Sequence, residues 1–194
     1  MAREKCPRCD RDQWHCICSL VSPVPAQSPV AILQFPKEAA HPLNTAALLK
    51  ASLPDCRVWV GEAFDGEPAV DHFLAQAPLL LYPSEEALPL EELPRQPRPL
   101  LLLDGTWKKA YRLYQSNPAL KGLTAVRLPD GVQGRYRLRK SPKAEGLSTL
   151  EAAAMVLAHL EPGLDVAPLY QAMDAMIERQ LGRMPAELRQ RYQP

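Results

Sequence analysis

Two groups of residues in this sequence could do chemistry. The first is Asp104-Gly105-Thr106-Trp107, which follows four consecutive leucines, Leu100 to Leu103. A carboxylate placed directly after an apolar run sits at the end of a buried strand, where it can take a proton or face a cation. The second group is Cys6-x2-Cys9-x6-Cys16-x-Cys18, four of the five cysteines within thirteen residues. Four clustered thiolates suit a tetrahedral zinc at about 2.3 Å from each sulfur, and four protein ligands leave no open position, so this site is structural. His15 is a competing ligand, but it flanks Cys16 too closely to reach the same metal without distorting the turn. The stretch 100–107 also has a plainer reading, in which Asp104 caps a helix and Trp107 fills the core. Cys56 precedes the apolar Val58-Trp59-Val60 and is a small buried residue.

These groups need elements to position them. Residues 100–103, bounded by Pro99 and Asp-Gly, form a buried strand that ends in a tight turn. Residues 107–115 have helical spacing, with Thr106 as N-cap. Further strands are predicted over 30–35, 57–60, 79–82 and 124–128, and helices over 46–53, 70–76, 151–160, 168–181 and 185–192. Residues 36–45 make a loop in which Asn44 or Thr45 caps the next helix. The proline-rich, acidic stretch 83–99 is a surface connection. Ser148 and Glu151 have capping-box spacing, and the helix they start could hold a carboxylate at its N-terminus or simply be well capped. Strands alternating with helices indicate an α/β fold with a mainly parallel sheet. Polar residues at the carboxyl edge of such a sheet are where ligands bind.

Composition sets the remaining bounds. A chain of 194 residues with 46% hydrophobic content can bury one ordinary core, and no apolar run is long enough to span a membrane. Residues 1–20 carry cysteines and charges where a signal peptide needs an apolar stretch, which predicts a cytosolic protein. There is no glycine-rich phosphate loop, so nucleotide binding of the usual dinucleotide-fold kind has no support. The net charge of +1 hides an asymmetry: residues 1–94 sum to −6 and residues 95–194 to +7. Within 107–143 lie ten basic residues against Asp130 alone, interleaved with Tyr111, Tyr114 and Tyr136. Phosphate neutralisation with aromatic stacking is what an RNA-binding face needs, so Lys108, Lys109, Arg112, Arg135, Arg137, Arg139 and Lys140 are predicted to line one.

The ordered set of Cys6-x2-Cys9-x6-Cys16-x-Cys18, Pro36-x-Glu38 with Asn44-Thr45, Asp104-Gly105-Thr106-Trp107, and Arg139-x-Ser141-Pro142 with Ser148-Thr149-Leu150-Glu151 resembles the DTW-domain family, in particular its bacterial members that act on a tRNA uridine. The resemblance covers roughly residues 6 to 180, and Phe35 stands where many members carry His. It implies a SPOUT-like fold with a C-terminal trefoil knot, in which residues 1–22 form a zinc-binding module and 23–194 the catalytic domain. It also implies transfer of the 3-amino-3-carboxypropyl group of S-adenosylmethionine to N3 of a tRNA uridine, position 47 in the bacterial case, with release of methylthioadenosine. On that reading Asn44, Thr45, Thr106, Trp107, Leu128, Ser148 and Thr149 hold S-adenosylmethionine. Asp104, kept from water by Trp107, acts as the base for the weakly acidic N3–H, with Glu38 as the alternative. The partners are tRNA and S-adenosylmethionine, and the chain is expected to be a monomer. Two other classes remain open. A SPOUT-type RNA methyltransferase would share the fold, the co-substrate and the basic face, whereas a zinc-containing RNA-binding protein without activity needs only the cysteines and the basic stretch.

Overall fold

Strands covered on both faces must be apolar at nearly every position, and β1 (Val30–Gln34) and β5 (Leu100–Asp104) are composed that way. They pair in parallel, with Val30 opposite Leu100 and Gln34 opposite Asp104. With β2 (Cys56–Val60), β3 (Leu79–Leu81), β4 (Leu88–Pro89) and β6 (Ala125–Arg127) they form a six-stranded sheet in the order β2-β1-β5-β3-β6-β4, every pair parallel. The computed structural model describes residues 4–7, 9, 11–41, 43–135, 146–185 and 187.

The two-residue period of the strands splits the core into two layers. Val30, Ile32, Leu79, Leu100, Leu102 and Val126 pack with α2 (Ala46–Ser52), α5 (Thr149–Leu160) and α6 (Ala167–Gly182). Ala31, Leu33, Leu80 and Leu101 pack instead with Val70 and Phe73 of α3 (Pro68–Leu74) and Leu113 of α4 (Trp107–Ser116). The cysteine segment lies on the first layer. Ile17 is buried there, Cys9 and Leu20 pack against it, and Arg179 of α6 donates to the carbonyl of Cys16. Among the described residues no helix is long and apolar enough to cross a membrane.

Several expectations need correction. Residues 83–99 are more than a surface connection: they hold β4 and a 3₁₀ turn, Leu90–Glu92, and they bury Leu90 and Leu93. The loop after β1 contains the short helix α1 (Pro36–Ala39), started by a proline at its first position. Neither Thr106 nor Thr45 caps with its side chain; Asn44 does so for α2, its Oδ1 accepting from the Ala47 amide at 3.3 Å. Cys56 is half-buried at the start of β2, and burial pushes its thiol up to about 12. The helix predicted over 185–192 lies almost wholly outside the described residues.

Just beyond α5, buried Glu161 accepts hydrogen bonds from the amides of Gln27 and Ser28, each at 2.9 Å. One carboxylate thereby ties the approach to β1 to the far end of the chain. Glu161→Ala leaves two buried amides unsatisfied and should lower unfolding stability by about 2–4 kcal/mol, with Glu161→Gln intermediate. Chemical denaturation checks this; an alanine variant as stable as the parent would show that the two amides find other acceptors.

Candidate active site

The connections after β1 and β5 leave the sheet on opposite faces: α2 packs in one layer and α4 in the other. Because β1 and β5 are neighbours, their carboxyl ends open a crevice at the point where the chain direction diverges. Gln34 ends β1 and Asp104 ends β5, opposite one another. The Phe35 amide donates to the Asp104 carbonyl at 3.0 Å and the Gly61 amide to the Gln34 carbonyl at 3.1 Å, so the ladder holds to its last rung. Gly105 makes the turn that follows possible, because a Cβ there would stand 2.8 Å from the Lys109 Cβ in the first turn of α4.

A connected polar cluster occupies this crevice. Gln34 Nε2 donates to Asp104 Oδ2 at 2.6 Å and to Asn44 Oδ1 at 3.2 Å. The Thr149 hydroxyl donates to Asp104 Oδ1. Asp104 is 5% exposed and Gln34 2%, so both would be costly without these partners. Asn44, Asp104 and Thr149, all predicted site residues, are thus joined in one network with Gln34, which the sequence places inside the strand 30–35 and not at the site. The signal for Gln34 was available: it is the one polar residue closing an apolar run, at the same place in its strand as Asp104 in β5.

The other predicted residues fall into different positions. Ser148 caps α5 in the expected capping box, accepting from the Glu151 amide at 3.2 Å while Glu151 Oε2 accepts from the Ser148 amide at 2.7 Å; its hydroxyl also donates to Met173 Sδ at 3.4 Å. Its side chain therefore serves the helix. Of the four amides that precede the first i−4 bond, that of Ser148 goes to Glu151 Oε2 and that of Glu151 to Ser148 Oγ, which leaves those of Thr149 and Leu150 without an acceptor among the described residues. Thr45 is buried where α2 begins. Leu128 follows β6, separated from β5 by β3, and packs on the α2–α5–α6 layer outside the cluster. Trp107 is 60% exposed, so it does not fill the core.

The predicted basic residues flank the crevice from both layers. Lys108 is exposed on α4 beside Trp107 and Tyr111, the latter 57% exposed. Lys109 is bound to Glu38 at 2.6 Å, and Arg112 pairs with Glu62. Both cations also lie over the Phe35 ring, at 5.5 and 5.8 Å from its centroid. Tyr114 stacks on Tyr82 at 4.4 Å, which occupies one face of its ring. Arg135 stands in the other layer, 5.1 Å from the centroid of Tyr170 in α6. Arg137, Arg139 and Lys140 lie outside the described residues.

At the amino end the four cysteines converge. The Sγ atoms of Cys6 and Cys18 are 3.8 Å apart, those of Cys9 and Cys16 3.9 Å, and all four lie within 4.8 Å of one another. None forms a disulfide. The edge of a sulfur tetrahedron around zinc at about 2.3 Å is about 3.8 Å, so the donor set fits that ion in type and spacing. Burial, then the thiols of Cys16, Cys9 and Cys6, push Cys18 up to about 12. His15 is turned away from the group, its Nδ1 bound to Asp12 Oδ1 at 2.9 Å.

Comparison with known proteins bears on the family. The chain is 36% identical over 170 residues to the mouse (Mus musculus) protein named tRNA-uridine aminocarboxypropyltransferase 2, and 38% identical over 169 residues to the protein of that name in Drosophila melanogaster. Each match takes in 82% of this chain; it spans 57% of the mouse protein's length and 67% of the fly's. The similarity to tRNA-uridine aminocarboxypropyltransferase A of Arabidopsis thaliana is 28% over 200 residues, 82% of this chain and 74% of that one. No solved structure matches. The model of the DTW domain matches residues 3–181, a span that takes in the cysteine cluster, Gln34, Asn44, Asp104–Trp107 and the capping box of α5, and the chain belongs to that family.

Proposed function

We propose that this protein transfers the 3-amino-3-carboxypropyl group of S-adenosylmethionine to N3 of a uridine in tRNA, at position 47, and releases methylthioadenosine. The observation that carries this reading is the buried Gln34–Asp104–Thr149 cluster with Asn44, at a sheet edge where ligands of open α/β folds bind. The names of the relatives, all tRNA-uridine aminocarboxypropyltransferases, supply the reaction class. A SPOUT-like arrangement with a C-terminal trefoil knot belongs to the same proposal, and the all-parallel sheet agrees with it. So do residues 1–22 as a metal module, 23–194 as the catalytic domain, and a cytosolic monomer.

S-adenosylmethionine supplies an electrophilic γ-carbon on a sulfonium. What the protein must do is hold both charged ends of the transferred group and take a proton from uridine. The amides of Thr149 and Leu150, which have no acceptor among the described residues, and the positive end of the α5 dipole suit its carboxylate, and Asn44 and Thr45 stand where α2 begins in the same layer. Thr106, Trp107 and Leu128 complete the proposed co-substrate set. Asp104 is the base in this reading. Glu38, the alternative, is engaged by Lys109. Lys108 and Arg135, with Lys109, Arg112, Arg137, Arg139 and Lys140, would meet RNA phosphates. The cysteines would hold one structural zinc, their sulfur spacing being that of a tetrahedral site.

Three outcomes are expected. Incubated with S-adenosylmethionine and unmodified tRNA, the protein should release methylthioadenosine; S-adenosylhomocysteine instead would mean methyl transfer, and neither product would mean a binding protein. Asp104→Asn should slow turnover by about 10²- to 10⁴-fold with much smaller changes in binding of either substrate. The variant should fold, because the Thr149 hydroxyl can turn to accept from the new amide. Turnover near the parent rate would move the base elsewhere. Elemental analysis should find one zinc per chain, and Cys16→Ser should lower that content and loosen the first thirty residues to proteolysis; a freshly purified chain without metal would rule the site out.

A further inference from the structure

The cysteine segment carries a surface feature that neither the crevice nor the metal site uses. Trp14, in the 3₁₀ turn Gln13–His15, is 70% exposed, the most of any large apolar side chain among the described residues. An indole left in water is a large apolar area held ready for something flat. Arg183, just past α6, stands over one face of it at 5.8 Å. Beside the pair runs a shallow groove between the cysteine segment and α6, lined by His15, Leu43, Met176, Arg179, Gln180 and Arg183.

The charge of this surface is one-sided. Three arginines, Arg11, Arg179 and Arg183, lie along or beside this groove. Arg11 donates to the His41 carbonyl at 3.3 Å and Arg179 to the Cys16 carbonyl, so both guanidinium groups are engaged by backbone beside the cysteine segment. Asp12, the neighbouring acid, is bound by His15. Arg183 and Trp14 are left facing outward. A planar cation on one face of an indole leaves the other face for a base, with the cation placed for the phosphate beside it.

We propose that Trp14 and Arg183 form a second RNA contact, Trp14 stacking on an unpaired base of the substrate and Arg183 neutralising the adjacent phosphate. The proposal rests on the tRNA reading above. It gives the cysteine segment a task beyond its own folding: the cluster holds Trp14 in place between Cys9 and Cys16. It also gives α6 two ends in the same work. Arg135 lies over Tyr170 at its first turn and Arg183 over Trp14 at its end, thirteen residues on. At 1.5 Å per residue the two arginine–aromatic pairs are about 20 Å apart along the helix, so RNA reaching the crevice could be held at both.

Binding of unmodified tRNA by fluorescence anisotropy over a range of salt concentrations tests this on the full chain, with metal content and melting measured for each variant. Trp14→Ala should weaken binding roughly 5- to 150-fold with little change in salt slope. Arg183→Ala should reduce the slope of log K against log salt by about one. Both should keep parental metal content and affinity for S-adenosylmethionine. If Trp14→Ala loses metal, Arg183→Glu, which lies outside the cysteine segment, decides alone by a larger loss of affinity than Arg183→Ala. Folded, metal-replete variants that bind tRNA like the parent at every salt concentration would overturn the proposal while leaving the tRNA reading intact. A parent protein that binds no tRNA would overturn both.

Discussion

The hydrogen bond from Gln34 to Asp104 is the interaction on which the rest of the site depends. A carboxylate that is almost fully buried at the end of a leucine strand is unfavourable unless donors meet it. One donor comes from the neighbouring strand in exact register and the other from the first turn of α5. Hydrogen bonds to a charged group contribute roughly 1.5–3 kcal/mol each, so two of them bind three separate stretches of chain to one point. Asn44 adds a fourth stretch through the second proton of the same amide, and its own oxygen also caps α2. The loop after β1, the end of β5 and the start of α5 are therefore positioned by one cluster, and a change in any member shifts the others.

The basic helix looks different once its partners are known. By count, residues 107–143 are overwhelmingly cationic, but Lys109 and Arg112 are each paired with a carboxylate from the β1 or β2 loop and share the Phe35 ring. Pairs at a surface are weak and screened, so RNA could still draw on them, at the cost of breaking the pair. Lys108, with Trp107 and Tyr111 exposed beside it, is the part of α4 that stands open. Phe35 fits this arrangement: its apolar ring packs under two cations.

Much of this was legible from residue order. Four consecutive leucines require a strand covered on both faces, and that alone implies a parallel sheet with helices on each side. The capping box at Ser148 and Glu151 and the convergence of four cysteines are local patterns, and local patterns survive folding. What was hidden depends on contacts between distant residues. Gln34 is visible as a lone polar residue in an apolar run, but its partner emerges only when Asp104, seventy positions away, is placed beside it. β4 is only two residues long and contains a proline, which an edge strand tolerates and a sequence pattern disguises. The exposure of Trp107 likewise depends on which side of α4 meets the sheet: Ala110 and Leu113 take that side, and the tryptophan falls outside it.

The polarity of the cluster also decides where a proton could be held. Nε2 of Gln34 can only donate, and its second bond, to Asn44 Oδ1, which also accepts from the Ala47 amide, keeps it turned toward Oδ2 of Asp104. The partner of Oδ1 is a hydroxyl, which can rotate and accept instead. On the proposed reading, a proton taken from uridine N3 is therefore better kept on Oδ1, with Thr149 reversing its bond, while Gln34 continues to hold Oδ2. That division of labour makes Thr149 a positioning residue with a moving proton and Gln34 a fixed one. It also explains why the two donors to a single carboxylate are of different chemical types. Two fixed N–H donors would leave a neutral Asp104 with a clash at one oxygen, whereas one N–H and one hydroxyl allow both protonation states without moving a heavy atom.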